Sequence, residues 1–183
     1  AERETLSATV AQAAVTRARA AQSDWAARPL QDRIALVQAG VANVGEMNDE
    51  IVPELAHQMG RPVRYGGEFG GFNERASYMA EIAQGALADI QIENSDAFRR
   101  VIKRVPHGLV LVIAPWNYPY MTAINTVAPA LIAGNAVMLK HASQTPLVGE
   151  RMAKAFHAAG IPEDVFQNVF LDHQTTSDLI AAK

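Results

Sequence analysis

The first 96 residues carry apolar side chains at the spacing of α-helices. Side chains three or four residues apart share one face of a helix, so a buried face repeats at that interval. Four segments follow this pattern, and we predict helices over 4–21, from Leu30 through Val44, from Asn48 to Met59, and through the Ala-rich stretch after the GGEFGG sequence. We also expect Asn48 to cap its helix. Residues 1–96 are therefore predicted to form an amino-terminal helical region.

The pattern changes after residue 96. The segment 97–106, AFRRVIKRVP, is β-prone but carries paired charges. That combination is typical of an exposed or partner-facing strand rather than of the middle of a buried sheet. We interpret this segment as an edge strand of the kind that mediates oligomerisation.

Residues 107–183 predict a parallel α/β sheet. Continuously apolar, β-rich runs indicate strands that helices cover on both faces. One such run, at 108–115, and two further predicted strands, at 135–140 and 164–171, alternate with helical segments at 120–134, 145–160 and 175–182. This alternation is typical of a doubly wound parallel sheet, which usually has about five or six strands. We therefore predict an α/β domain whose sheet is incomplete within this sequence.

Composition excludes several classes of protein. The 183-residue chain contains no cysteine, which excludes a disulfide scaffold, a thiolate metal site and a cysteine nucleophile within it. The net charge is -3 and, apart from the pairs in 97–106, Lys and Arg are scattered and form no basic stripe, so we expect no nucleic-acid partner. No apolar run approaches the roughly 20 residues that span a bilayer, and the first ten residues are unlike a signal peptide. We therefore expect no membrane partner and a cytoplasmic location.

Histidine spacing does not indicate a metal site. His57, His107, His157 and His173 form no i, i+4 pair on one helix face. Such a pair is the usual arrangement for two histidine ligands on a helix. We interpret these four side chains as surface or hydrogen-bonded residues, and we predict no bound metal.

The strand predicted at 108–115 ends in a loop that presents an amide. Ligands of open parallel sheets bind beyond the carboxyl ends of the strands, which makes this loop a candidate site. Pro115 and Pro119 restrict its backbone and leave Trp116 and Asn117 on a rigid support. A preorganised Asn amide can donate a hydrogen bond to an oxygen that becomes negative during a reaction. The alternative is that Asn117 only satisfies the turn and that Trp116 fills the core.

A second candidate site follows the strand at 135–140. Lys140 ends that strand, and a lone cation there is suited to hold ribose hydroxyls or a phosphate. Small residues after it would let a nucleotide approach the backbone. The alternative is that Lys140 is a solvated strand terminus and that Thr145 caps the next helix. Neither loop contains the GxGxxG fingerprint of ordinary dinucleotide-binding folds.

Both loops belong to a longer series of motifs. The segments PHGLVLVIAPWNYP, APALIAGNAVMLKHASQTP and AGIPEDVFQNVF follow one another over 106–170, and HQMGRP precedes them at 57–62. Together they resemble the aldehyde dehydrogenase superfamily, whose Rossmann-like domain lacks the usual glycine fingerprint. The resemblance covers nearly the whole chain. It implies an incomplete Rossmann-like parallel sheet after the helical region, with 107–183 as the first part of the NAD(P)-binding domain.

The resemblance implies roles for individual residues. Asn117 resembles the Asn whose side-chain amide helps to form the family's oxyanion hole. Lys140 resembles the lysine that binds the adenosine ribose of the cofactor. The resemblance further implies that the residues around these two help to bind the cofactor, namely Ala114, Pro115, Trp116, Ala142, Ser143 and Gln144.

Two positions depart from the family's pattern. Ser143 stands where NAD-preferring members commonly have Glu. A carboxylate there would hold the ribose 2′-hydroxyl and repel a 2′-phosphate, whereas a Ser hydroxyl beside Lys140 can donate to that phosphate. We therefore expect NADP or NAD as the cofactor, with NADP accepted. His141 replaces the usual Pro, which leaves the path of this loop open.

The function that the resemblance implies is the NAD(P)-dependent oxidation of an aldehyde to a carboxylic acid. That mechanism needs a cysteine thiolate and a glutamate-assisted water, and the family places both after the point at which this sequence ends. We therefore expect the full-length protein, as a homo-oligomer, to oxidise a small aldehyde, and this chain alone to be inactive. The alternative function is a non-catalytic nucleotide-binding or interaction module.

Overall fold

A helical region precedes an α/β unit, as the sequence predicts. The computed structural model describes residues 2–182. Its helices are α1 (Ala8–Ala27), α2 (Leu30–Glu46), α3 (Asn48–Met59), α4 (Phe69–Ala86), α5 (Pro119–Ile132), α6 (Pro146–Ala158) and α7 (His173–Ala181). Its strands are β1 (Ile90–Asn94), β2 (Arg99–Ile102), β3 (Leu109–Ile113), β4 (Ala136–Lys140) and β5 (Phe166–Val169). In this part of the chain, no helix is both long and apolar enough to cross a membrane.

The strands β3, β4 and β5 form a parallel sheet in that order, with β4 in the centre. Helices cover both faces: Val137 and Leu139 belong to the core that contains α5 and α6, and Met138 packs in a second core with residues of α1. Alternate side chains of a strand point to opposite faces, so both faces of β4 are buried. The predicted α/β sheet is confirmed.

The first helix lies further along the chain than the 4–21 that we predict. The Ser7 side chain accepts a hydrogen bond from the Val10 N–H, so the helix begins at Ala8. It continues to Ala27 because Trp25 is buried, and the indole N–H of that residue donates to the Leu131 carbonyl at 2.9 Å. Local periodicity cannot predict this contact, because the two residues are 106 positions apart in the sequence.

The chain passes from α2 to α3 through a single residue, Met47. Its carbonyl accepts hydrogen bonds from the N–H groups of Glu50 and Ile51. Met47 therefore occupies the cap position and Asn48 is already helical, with no side-chain capping bond at this helix start. The prediction of Asn48 as a cap is wrong, because the tight junction places the helix start one residue earlier.

A two-stranded antiparallel ribbon stands apart from the parallel sheet. β2 lies inside the predicted strand at 97–106 and pairs with β1, with Ile90 opposite Ile102. The sequence analysis did not predict β1. Almost every residue of the ribbon is exposed, including the apolar Ile92. Ile90 and Ile92 alternate with Gln91 and Glu93, but the run is short and its apolar side chains are exposed.

Candidate active site

The register of the parallel sheet brings the two candidate loops to one edge. Ile113, the last residue of β3, lies opposite Lys140, the last residue of β4. The next residue, Ala114, donates its backbone N–H to the Lys140 carbonyl at 3.1 Å. The loop that carries Asn117 and the loop that carries Ser143 therefore leave the sheet from neighbouring points at its carboxyl edge.

The loop after β3 exposes the side chains that the sequence singles out. Ala114 is buried, whereas Pro115, Trp116 and Asn117 are exposed. Half of the Trp116 surface is accessible, so the alternative in which this side chain fills the core does not hold. Within residues 2–182 the Asn117 amide makes no hydrogen bond, so it does not satisfy the turn either and is free to donate to a ligand.

Tyr118 turns the chain from this loop into α5. Its backbone has φ 50° and ψ 54°, and it is the one non-glycine residue in the described part of the chain with a positive φ. The left-handed region is unfavourable for a residue with a Cβ, and surrounding contacts must hold such a residue in place. Pro119 follows directly and fixes the first residue of the helix.

The first turn of α5 is capped by a residue from elsewhere in the chain. Pro119 has no N–H, and the backbone N–H groups of Tyr120 and Met121 donate to Oε2 of Glu68 at 3.0 and 3.3 Å. The next N–H group donates to the Tyr118 carbonyl at 2.9 Å. Every N–H of this helix start is thus satisfied, with one carboxylate taking the place of a local cap.

Glu68 is buried and paired with a cation. Its side chain is 2% exposed, and Oε1 accepts a hydrogen bond from Nη2 of Arg61 at 2.9 Å. The same nitrogen donates to the Gly66 carbonyl at 2.8 Å. A buried carboxylate needs both a counter-charge and hydrogen-bond donors, and this one has an arginine and two backbone amides.

The buried His141 links the loop after β4 to the first residue of α5. Its Nδ1 accepts a hydrogen bond from the Ala142 N–H at 2.9 Å, so in the neutral ring the proton is on Nε2, which donates to the Pro119 carbonyl at 3.4 Å. Burial lowers the pKa of His141 to about 4, which keeps the ring neutral. This contact defines the path of the loop that the sequence left open.

Thr145 occupies the cap position of α6 but does not cap the helix with its side chain. The helix begins at Pro146, as predicted, but no side-chain capping bond is present at its start. The Thr145 side chain is fully buried, and its hydroxyl lies 3.1 Å from Nδ1 of His141. The alternative in which Thr145 caps the helix therefore holds for its position but not for its hydroxyl, which contacts the imidazole instead.

A cleft of about 370 Å³ opens beside the end of β4. Lys140 and Ser143 line it, together with His141, Pro146, Phe170, Leu171 and the amino-terminal residues Glu2, Arg3 and Thr5. The remaining predicted cofactor residues, Ala114, Pro115, Trp116, Asn117, Ala142 and Gln144, lie outside this cleft. Gln144 is exposed, and its amide donates to the Gln58 carbonyl at 3.4 Å. The roles of all these residues in cofactor binding stay predictions.

The chemistry of the cleft fits part of a nucleotide. Lys140 brings an ammonium group and the exposed Ser143 a hydroxyl, and no ion pair of Lys140 occurs within residues 2–182. These donors suit ribose hydroxyls and phosphate oxygens, and the volume is at the lower end of small-molecule sites. The described residues contain no group of three or more His, Asp or Glu side chains that could hold a metal ion.

Glu68 was not predicted from the sequence as a residue of this region. Glu68 precedes Tyr120 by 52 positions, so no local motif connects them. One signal was available: the predicted helix after Asn117 begins with no Ser, Thr, Asp or Asn at its cap. A helix start without a local cap, next to a rigid loop, predicts a partner from another element.

Comparison with known proteins identifies the family. The model of the aldehyde dehydrogenase family matches residues 1–183. The chain is 34% identical over 157 residues to N-succinylglutamate 5-semialdehyde dehydrogenase of Novosphingobium aromaticivorans, covering 84% of this chain and 33% of the relative. It is 30% identical over 172 residues to succinate-semialdehyde dehydrogenase [NADP(+)] of Deinococcus radiodurans, covering 92% and 35%.

Solved structures give the same result. An NAD-dependent benzaldehyde dehydrogenase from Corynebacterium glutamicum superimposes with a TM-score of 0.88 at 32% identity, covering 98% of this chain and 39% of that one. The chain thus spans about a third of the length of the curated relatives it matches. Its sequence and its Rossmann-like architecture agree along the whole length, and the chain belongs to the aldehyde dehydrogenase family.

Proposed function

We propose that the full-length protein oxidises an aldehyde to a carboxylic acid with NAD or NADP, and that this chain supplies one donor of its oxyanion hole and the ribose site. The observation that carries the proposal is the hydrogen bond between Ala114 and Lys140, which brings the Asn117 loop and the cofactor loop to one edge of the sheet. Ligands of such sheets bind at this edge. Family membership makes aldehyde oxidation the reaction that these groups would serve.

Asn117 is the proposed catalytic residue of this chain. Its amide would donate a hydrogen bond to the aldehyde oxygen as that oxygen becomes negative. Its rigid support means that little reorganisation is needed during the reaction, and one such donor is worth about 3 to 4 kcal/mol of transition-state stabilisation. The nucleophilic cysteine must come from outside these 183 residues, which contain none. We therefore also propose that this chain alone does not turn over.

Lys140 and Ser143 are the proposed ribose-binding residues. When bound, the nicotinamide cofactor supplies the hydride acceptor. Lys140 would donate hydrogen bonds to the ribose oxygens. Ser143 would tolerate a 2′-phosphate, because its side chain carries no negative charge that would repel it. The names of the relatives include both an NADP(+) enzyme and an NAD-dependent one. The same names include semialdehyde and benzaldehyde dehydrogenases, which supports a small aldehyde as the substrate class.

The β1–β2 ribbon is the proposed contact between subunits of a homo-oligomer. Its exposed apolar side chains include Ile92, Phe98 and Ile102, and the neighbouring Val105 is 76% exposed. A ribbon with unpaired edges and exposed apolar residues is suited to pairing with another sheet. The cytoplasmic location stays a prediction from the sequence.

The proposed function is tested by activity of the full-length protein. Small aldehydes, including a semialdehyde and benzaldehyde, are mixed with enzyme and NADP or NAD, and the absorbance of the reduced cofactor is followed. The proposal predicts aldehyde-dependent reduction that Asn117→Ala lowers strongly. Cofactor binding without reduction by any aldehyde would instead favour the non-catalytic nucleotide-binding module.

A further inference from the structure

We propose that Glu68, held by Arg61, is a positioning residue that fixes the orientation of Asn117. The inference rests on the proposed function of Asn117 and adds the residue that keeps its amide in place. Glu68 touches neither Asn117 nor the aldehyde site directly. It acts through the first turn of α5, whose N–H groups at Tyr120 and Met121 it binds.

The Glu68 side chain caps α5 and not its own helix, α4. It occupies the cap position of α4, yet its side chain makes no capping bond to that helix. Both carboxylate oxygens are directed elsewhere, Oε2 to the start of α5 and Oε1 to Arg61. A negative charge at a helix start is favourable because the N–H groups there carry partial positive charge. The carboxylate is therefore placed where it stabilises the loop that precedes α5.

Met121 makes three contacts with α4 and its cap residue. Its N–H donates to Glu68, and its carbonyl accepts a hydrogen bond from Nη1 of Arg75 at 2.8 Å. Its side chain packs against Gly71, where an added Cβ would lie 2.3 Å from the Met121 sulfur. These contacts fix the start of α5 relative to α4. The position of the Asn117 loop, which leads into α5, is therefore determined by α4.

The segment between Asn117 and Tyr120 transmits this position. It consists of Tyr118, in the left-handed region, and Pro119, whose ring fixes φ. With so few soft torsions, a shift of the helix start moves the Asn117 amide with it. Without the Glu68 carboxylate, two backbone N–H groups at a buried helix start would lose their partner, and the turn at Tyr118 would lose part of its support.

The experiment is a double-mutant cycle in the full-length enzyme. The variants are Glu68→Ala, Asn117→Ala and the combination of the two, with Glu74→Ala as a matched control because Glu74 is an exposed carboxylate on the same helix. Steady-state kcat with an aldehyde is measured per folded active site, and the cofactor Kd is measured by titration. Because removal of a buried carboxylate can reduce the yield of folded enzyme, Glu68→Gln, which keeps the size and one acceptor oxygen, is measured in parallel.

The positioning role predicts a specific pattern. Asn117→Ala lowers kcat by about a hundredfold and Glu68→Ala by about tenfold, with the cofactor Kd changed by less than about twofold. The double variant is no slower than Asn117→Ala, because Glu68 acts through the amide that is already absent. Glu68→Gln retains more activity than Glu68→Ala, and Glu74→Ala equals the wild type.

Two results would overturn the inference while leaving the proposed function standing. One is a double variant whose loss equals the product of the single losses, since independent effects multiply. The other is an unchanged kcat per folded site in both Glu68 variants, which would make Glu68 a residue of stability alone. An unchanged kcat in Asn117→Ala would contradict the proposed role of Asn117, on which the inference rests, whatever Glu68 does.

Discussion

The backbone N–H of Ala114 donates a hydrogen bond to the carbonyl of Lys140 at 3.1 Å. This hydrogen bond is the last one between β3 and β4. The two segments that follow these strands separate immediately after it. One branch leads within three residues to Asn117, and the other leads within three residues to Ser143. An amide and a hydroxyl from segments far apart in the sequence thus share the carboxyl edge of one sheet.

Asn117→Ala in the full-length enzyme is expected to lower kcat by about a hundredfold or more, because the variant loses the donor that we propose for the developing oxyanion. The KM for the cofactor is expected to stay unchanged, since Asn117 lies outside the cleft of Lys140. Steady-state kinetics with a saturating aldehyde give both values. Asn73→Ala, an exposed Asn on α4, is the control. A wild-type kcat would remove Asn117 from the mechanism.

Ser143→Glu is expected to shift the cofactor preference from NADP towards NAD. The new carboxylate would lie in the cleft with Lys140, where it repels a 2′-phosphate and accepts a hydrogen bond from a 2′-hydroxyl. We expect the ratio of kcat/KM for NADP to that for NAD to fall by about tenfold or more. Ser77→Glu adds the same charge on an exposed position of α4 as the control. An identical ratio before and after Ser143→Glu would refute the argument.

His141 is expected to make folding stability depend on pH. Burial lowers its pKa from 6.5 to about 4, so between these values the unfolded chain binds a proton that the folded protein does not. The free energy of unfolding therefore falls as the pH decreases through this window, by up to about 1.4 kcal/mol per pH unit. Above about pH 6.5 the group contributes no slope.

Denaturant unfolding of the full-length protein across pH 4 to 7 measures this effect. His141→Gln is expected to show a smaller slope than the wild type, because the variant lacks the titrating ring. His57→Gln is the control, since His57 is exposed. Equal slopes for the wild type and His141→Gln would show that the ring does not titrate as its burial predicts.

Replacing Ile92 and Ile102 with Glu is expected to lower the oligomeric mass of the full-length protein. Both side chains are more than half exposed on the ribbon, and a charge there would have to be buried in an interface. Light scattering after size exclusion gives the mass. Tyr65→Glu, at an exposed aromatic residue outside the ribbon, is the control. An unchanged mass in the double variant would place the subunit contact elsewhere.

The parallel sheet was predictable because its central strand is an apolar run that differs in pattern from the helical segments on either side. Residues 136–139 are continuously apolar and fully buried, and the sequence predicts this strand almost to the residue. Pro115 and Pro119 likewise predict a rigid loop, because each proline ring restricts φ. In both cases the signal is local: an apolar run or a restricted φ depends on neighbours in the chain.

The contacts that hold the site were not predictable in the same way. Trp25 extends α1 through a bond to Leu131, and Glu68 caps α5 across a separation of 52 residues. Neither contact leaves a periodic trace in the sequence. The strand β1 does carry a local signal, the alternation of Ile90 and Ile92 with Gln91 and Glu93, but the run is short and was not recognised as a strand.

The most direct test of the account is a crystal structure of the full-length protein with NADP bound. We expect the adenosine ribose within hydrogen-bond distance of the Lys140 ammonium group, the 2′-phosphate beside Ser143, and the Asn117 amide facing the nicotinamide end of the same cofactor. A cofactor bound away from the carboxyl edge of β3 and β4, with Lys140 and Asn117 both free of it, would contradict the account.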